Sequence, residues 1–160
     1  MHKTRNTLSE KVRKKVAALL SARLADAIDL SLQSKHAHWN VKGPNFIALH
    51  ELFDSVHDVV ESKVDELAER LTALGGVAEG TLQAVGRRSS LAPYPLAIRS
   101  GTDHLEALAR VIASFGGLTR EAIDAAAAAG DEVTADLFNG ITGDIDKQLW
   151  FIEAHLQAGA

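Results

Sequence analysis

Residues 46–74, FIALHELFDSVHDVVESKVDELAERLTAL, carry the clearest periodicity in the chain. Phe46, Leu49, Phe53, Val56, Val60, Val64, Leu67, Leu71 and Leu74 recur at steps of three and four, the signature of a helix with one buried face. Gly43-Pro44 breaks the chain ahead of this series, with Asn45 placed to cap it, and Gly75-Gly76 closes it in the manner of a glycine C-cap. The spacing predicts a long helix over about 45–74.

The same argument extends in both directions. Thr7 and Glu10 stand as in a capping box ahead of Val12, Val16, Leu19, Leu20, Leu24, Ala27 and Ile28, which predicts a first helix over about 8–38. Residues 77–100 contain Gly80, Gly86, Pro93 and Pro95 and form the one long connection, with Thr81–Gly86 as a short helix inside it. Leu105, Leu108, Ile112, Phe115, Ala122 and Ile123 predict a third long helix over about 101–129, weakened or bent at Gly116-Gly117 and ended by Gly130. Asp131 then caps a fourth over about 131–157, striped by Val133, Leu137, Ile141, Ile145, Ile152 and Leu156. The expected fold is all-α: a ferritin-like four-helix bundle over 8–157 whose long crossover carries a short helix, preceded by a short basic arm, 1–7.

Composition narrows the function classes. With 160 residues, 46% of them hydrophobic and 24% charged, the chain matches one soluble globular domain. Cysteine is absent, which excludes disulfides, thiolate zinc sites, iron–sulfur clusters and cysteine nucleophiles together, so any metal must be held by nitrogen and oxygen. No apolar run approaches the roughly 18 residues of a membrane span, and no apolar segment follows Lys3 and Arg5; the expected location is cytoplasmic, with no membrane partner. Residues 1–15 hold six Lys or Arg against one acid, and the rest of the chain holds 11 against 20.

The polar flank of the second helix carries the candidate chemistry. Taking Phe53 as zero, His50, Asp54, Asp65 and Glu69 fall at about 60°, 100°, 120° and 160°, on one flank beside the core. His50 and Asp54 are four residues apart, as are Asp65 and Glu69, so each pair forms a two-ligand clip. The two clips lie about 16 Å apart along the helix and cannot serve one ion within a single chain. His50 and Glu69, however, are symmetric about the same point, between Val59 and Val60, as Asp54 and Asp65. Two copies packed antiparallel about a two-fold axis there would set His50 level with the partner's Glu69, and Asp54 level with the partner's Asp65, giving two equivalent sites per dimer. His38, at the end of the first helix, adds a third ligand candidate. Imidazole with several carboxylates suits Fe(II), Mn(II) or Zn(II), and redox iron chemistry fits best, because few nitrogen donors allow iron to enter, be oxidised and leave. Either pair alone also reads as a surface hydrogen bond or solvated charge. His36, His57, His104 and His155 lack matched partners and read as surface or interface positions, Trp150 reads as packing, and Trp39 places an oxidisable indole beside His38.

The stretch Lys35-His36-Ala37-His38-Trp39-Asn40-Val41-Lys42-Gly43-Pro44-Asn45-Phe46, with Leu49-His50-Glu51, Asp54, and Asp65 through Glu69-Arg70, closely resembles the signature of the Dps family of mini-ferritins. Tyr94-Pro95-Leu96, Asp146-Lys147 and Leu149-Trp150-Phe151-Ile152-Glu153 extend the likeness over nearly the whole chain. The resemblance implies a homo-oligomeric shell, a dodecamer, that oxidises Fe(II), preferably with hydrogen peroxide, stores ferric mineral and protects DNA, with iron as its metal and no organic cofactor. It implies that His38, His50 and Asp54 of one subunit, with Asp65 and Glu69 of its two-fold mate, are the ferroxidase ligands. It also implies acidic three-fold pores, to which Asp131, Glu132 and Asp136 correspond, with Val133 standing where some relatives have another acid.

The competing reading is a nucleoid-associated protein that covers DNA physically. Such binding needs phosphate neutralisation. A helix starting near residue 8 leaves only Lys3, Arg5 and the terminal amine as free cations for DNA, and residues 157–160 carry no basic side chain.

Overall fold

The computed structural model describes residues 1–157 and is all-helical. Its elements are α1 (Glu10–Asn40), α2 (Phe46–Ala73), α3 (Leu82–Arg88), α4 (Gly101–Ala129) and α5 (Glu132–Leu156). Helix α1 pairs with α2 and α4 with α5, the two pairs meet mainly through α1 and α4, and α3 lies against α1. Among the described residues there is no strand, only one bridge from Lys42 to Ser100 that ties the α1–α2 turn to the start of α4.

The apolar stripes become the core. Phe53, Leu67 and Leu71 of α2 meet Leu20, Leu24 and Leu30 of α1 and Ile112, Phe115, Phe138 and Ile141 of the other pair, all of them almost wholly buried. Burying each such side chain contributes about 1.5–3 kcal/mol.

Several local details differ from the sequence reading. Ser9, not Thr7, caps α1, its hydroxyl accepting from the Val12 amide at 3.3 Å, and the helix runs on to Asn40. Asn45 occupies the cap position of α2 without a side-chain cap hydrogen bond. The short crossover helix starts one residue later and ends two residues later than the Thr81–Gly86 reading, and Gly116-Gly117 does not interrupt α4. Glycine in a helix interior costs about 1 kcal/mol, and buried Ile112, Phe115, Ala122 and Ala126 on either side hold α4 against α5. Gly130, at φ 88°, ends α4 in the left-handed conformation that a side chain would strain.

The basic arm is not free. The His2 amide donates to the Gly75 carbonyl at 2.7 Å, and the Arg13 guanidinium donates to the carbonyls of Leu8 and Leu74. The carbonyls left open at the C-terminal end of α2 thus anchor the first residues of the chain. Lys3 and Arg5 remain exposed on this docked arm.

Candidate metal centre

The turn between α1 and α2 folds the end of one helix back along the start of the next, which sets His38 against His50. Their rings stack with centroids 3.7 Å apart. His38 Nδ1 lies 2.7 Å from the His50 carbonyl and His50 Nδ1 lies 2.9 Å from the His38 carbonyl. A carbonyl oxygen can only accept, so both Nδ1 atoms carry a proton, and in the neutral tautomer each Nε2 lone pair is left for a metal. A histidine that ligates a metal through one nitrogen while donating its other N–H to a backbone carbonyl has this arrangement. The donor set therefore fits a borderline divalent ion.

Asp54 sits beside them, its Oδ1 3.8 Å from His38 Nδ1. Lys35, one turn before His38 on α1, places its ammonium directly on the Asp54 carboxylate. That hydrogen bond holds the Asp54 carboxyl below the usual carboxylate range, against the opposing effect of burial. In this state Lys35 supplies the positive charge beside Asp54, and a cation that binds there must displace it. Lys35 is the part of the site that sequence spacing missed, and its place one turn ahead of His38 is the signal that could have found it.

Asp65 and Glu69 lie further along the same flank, exposed, with no ion-pair partner among the described residues. Among the described residues no three His, Asp or Glu side chains of one subunit gather closely enough to hold a metal. One chain thus carries a prepared cluster of His38, His50 and Asp54, and a separate, bare clip of Asp65 and Glu69.

The remaining candidates are dispersed. Asp131 is 2% exposed and is engaged inside the subunit: Arg70 reaches its two oxygens at 2.8 and 3.0 Å, and it caps α5 through the Thr134 amide and hydroxyl. Burial alone would raise its pKa; the Thr134 and Arg70 hydrogen bonds outweigh that and hold it below the usual range. Glu132 and Asp136 are exposed beside it. Lys3 and Arg5 lie on the docked arm.

One histidine departs from its surface or interface reading. His104 is fully buried and joined to the Tyr94 hydroxyl at 2.6 Å, because position 104 falls on the same inward face of α4 as Leu108, Val111 and Phe115. Burial lowers the His104 pKa and raises that of Tyr94. His57 is tied to Ser31 of α1. Trp39, by contrast, stands 67% exposed.

A family model described as a ferritin-like domain matches residues 17–160. The chain is 46% identical over 156 residues to a DNA protection during starvation protein of Agrobacterium fabrum, covering 98% of this chain and 96% of that one. It is 37% identical over 151 residues to the protein of that name from Mycolicibacterium smegmatis, covering 94% and 82%. Among solved structures, the tetragonal form of Mycobacterium smegmatis Dps superposes with a TM-score of 0.93 at 36% identity, over 99% of this chain and 96% of that one. DpsA14 from Streptomyces coelicolor superposes at 0.92 and 36% identity, over 98% and 94%. A bundle shared at this similarity over almost the whole length, with the histidine and carboxylate segments inside the matched region, makes the chain a member of the Dps family of ferritin-like proteins.

Proposed function

We propose that the chain assembles into a homo-oligomeric shell, a dodecamer, that oxidises Fe(II) with hydrogen peroxide at its two-fold interfaces and stores the ferric product, protecting DNA from oxidative damage. The observation that carries this reading is the reciprocal hydrogen bonding of His38 and His50, which occupies both Nδ1 atoms beside Asp54 and leaves both Nε2 atoms for a metal, while among the described residues no three such groups of one subunit gather closely enough to hold it. In this reading the partner's Asp65 and Glu69 supply the missing carboxylates, which the shared midpoint of the four positions on α2 supports. Family membership supports the same conclusion, and the relatives' name supports the protective role.

Exposed acids, Glu132 and Asp136 near the start of α5 among them, would concentrate Fe(II) by their field. At the two-fold site, binding of iron displaces Lys35 from Asp54. Two Fe(II) ions each give one electron to one peroxide; its O–O bond breaks, two protons are taken up and two waters leave, so no hydroxyl radical is released. The carboxylates favour the product, because a trivalent ion gains more from anionic oxygen than a divalent one.

A primary role in covering DNA is less well supported: the arm that holds Lys3 and Arg5 is docked at the end of α2. The site in which reaction occurs is soluble protein in this reading, and no described helix is long and apolar enough to cross a membrane; we place the shell in the cytoplasm. The test is to replace Asp65 and Glu69 by alanine and follow peroxide-driven iron oxidation in assembled protein. Loss of the fast phase is expected, and an unchanged initial rate would overturn the assignment.

A further inference from the structure

Midway along α2 a second histidine is prepared in the same manner as His38 and His50. His57 Nδ1 lies 3.2 Å from the Ser31 carbonyl, so the ring donates from Nδ1, and its neutral tautomer offers a lone pair on Nε2. The Ser31 hydroxyl, 3.0 Å from the same Nδ1, donates to Glu61 Oε2 at 2.9 Å. Ser31 is 3% exposed, so one buried residue of α1 orients both an imidazole and a carboxylate. Such outer partners orient metal ligands and raise their basicity.

His57 and Glu61 are four residues apart on one helix face. Both line a groove of about 540 Å³ whose other walls include Leu24, Ile28 and Val64. Glu61 also borders an adjoining depression of about 410 Å³ that holds Asp58 and Asp65. Neither Asp58 nor Glu61 has a Lys or Arg partner among the described residues.

The positions of Asp58 and Glu61 are symmetric about the same point of α2 as the pairs His50 with Glu69 and Asp54 with Asp65. In the antiparallel pairing proposed above, Glu61 comes level with the partner's Asp58. Four carboxylates would then crowd the axis with no lysine or arginine between them. Like charges brought this close repel, and more strongly near a protein surface than in bulk water. A divalent cation removes that repulsion.

We propose that His57 and Glu61 of one subunit, with the partner's Asp58, form a second divalent-cation site, one helical turn nearer the two-fold axis than the oxidation centre. One imidazole and two carboxylates select Fe(II), Mn(II) or Zn(II) over softer ions. The rung of Asp58 and Glu61 lies four residues, about 6 Å along the axis, from the rung of Asp54 and Asp65. At that separation the inboard site holds a divalent ion next to the oxidation centre. The inference rests on the same subunit pairing as the proposed function, but on different side chains.

Zn(II), which is redox-inert, is the probe. Calorimetric titration of the assembled protein, with anomalous diffraction from Zn-soaked crystals, should count two ions per subunit, one in each kind of site. The double variant His57→Gln/Glu61→Gln should keep one ion and lose the peak nearest the axis, with its gel-filtration volume unchanged. Asp58→Asn, at an exposed position, should weaken that site at least tenfold, and Ser31→Ala should weaken it about 10- to 100-fold through loss of the orienting hydroxyl. Unchanged stoichiometry in the double variant, or unchanged affinity in Asp58→Asn, overturns the proposal. Asp65→Asn/Glu69→Gln separates the two readings. If it loses an ion and the His57/Glu61 variant loses none, the inboard site fails alone. If it loses none while the His57/Glu61 variant does, the oxidation-centre assignment fails and the inboard site stands.

Discussion

The two halves of α2 carry the same kind of chemistry in opposite states of preparation. At the N-terminal half, His50 is locked to His38 through two backbone carbonyls and Asp54 is held by Lys35. At the C-terminal half, Asp65 and Glu69 are exposed, and the adjacent Arg70 is bound to Asp131 of α5. The difference separates a half that is ordered within the subunit from one whose carboxylates have no ion-pair partner among the described residues. Imidazoles have two nitrogens, so one can be anchored within the subunit while the other stays available. Aspartate and glutamate on an exposed flank have no such internal handle.

The sharpest way to break this comparison is to disable the bare half. Asp65→Asn/Glu69→Gln is expected to slow peroxide-driven iron oxidation at least about 100-fold, beyond what loss of outer-shell partners costs, without changing the thermal midpoint of the assembled protein; stopped-flow absorbance and calorimetry read the two effects. The anchor beside that half comes next. Asp131→Asn leaves the Arg70 guanidinium, 18% exposed, without its counter-charge and is expected to cost about 2 kcal/mol in denaturant unfolding.

The core packed beside the prepared half is tested by pH. Phe53 of α2 packs beside His104, with ring centroids 6.3 Å apart, and burial holds the His104 pKa below its ordinary value. A base whose pKa is lower in the fold than in the unfolded chain is neutral in both states above about 6.5. As pH falls below that, the unfolded chain takes the proton first, so stability declines until the folded pKa is passed. The unfolding midpoint should therefore drop from pH 7 towards pH 5, and His104→Gln should flatten that slope. The depressed pKa of Asp131 adds a second loss only at lower pH, below about 3.9.

Two smaller effects sharpen the contrast. Lys35→Gln removes the cation that competes for Asp54 and is expected to raise Fe(II) affinity about fivefold, the scale of a partly exposed ion pair, as measured by anaerobic titration. Replacing Lys3 and Arg5 by alanine should change stability by less than about 0.5 kcal/mol and leave the salt dependence of DNA gel shifts unaltered.

Legibility in the sequence followed the physical origin of each feature. Phe53, Leu67 and Leu71 announce a buried helix face because burial is a property of spacing along one element. The pairs His50 with Asp54 and Asp65 with Glu69 were visible for the same reason, as one helix fixes their relative positions. His104 shares the inward spacing of Leu108, Val111 and Phe115, so its burial was legible in the sequence; its partner, Tyr94, was not, because it comes from an irregular crossover whose path no periodicity describes. Lys35, Ser31 and the docked arm were hidden likewise, since each acts through contact with a different element.

The amino-acid order alone thus determined four long helices, the long connection between two of them, and the divided set of candidate ligands on α2, because local spacing dictates which side chains share a face. Only the tertiary structure decided which ring nitrogens are anchored, which carboxylates are already paired and where the first residues lie. Those depend on backbone carbonyls and side chains brought together from distant segments, and no spacing within one segment encodes that approach.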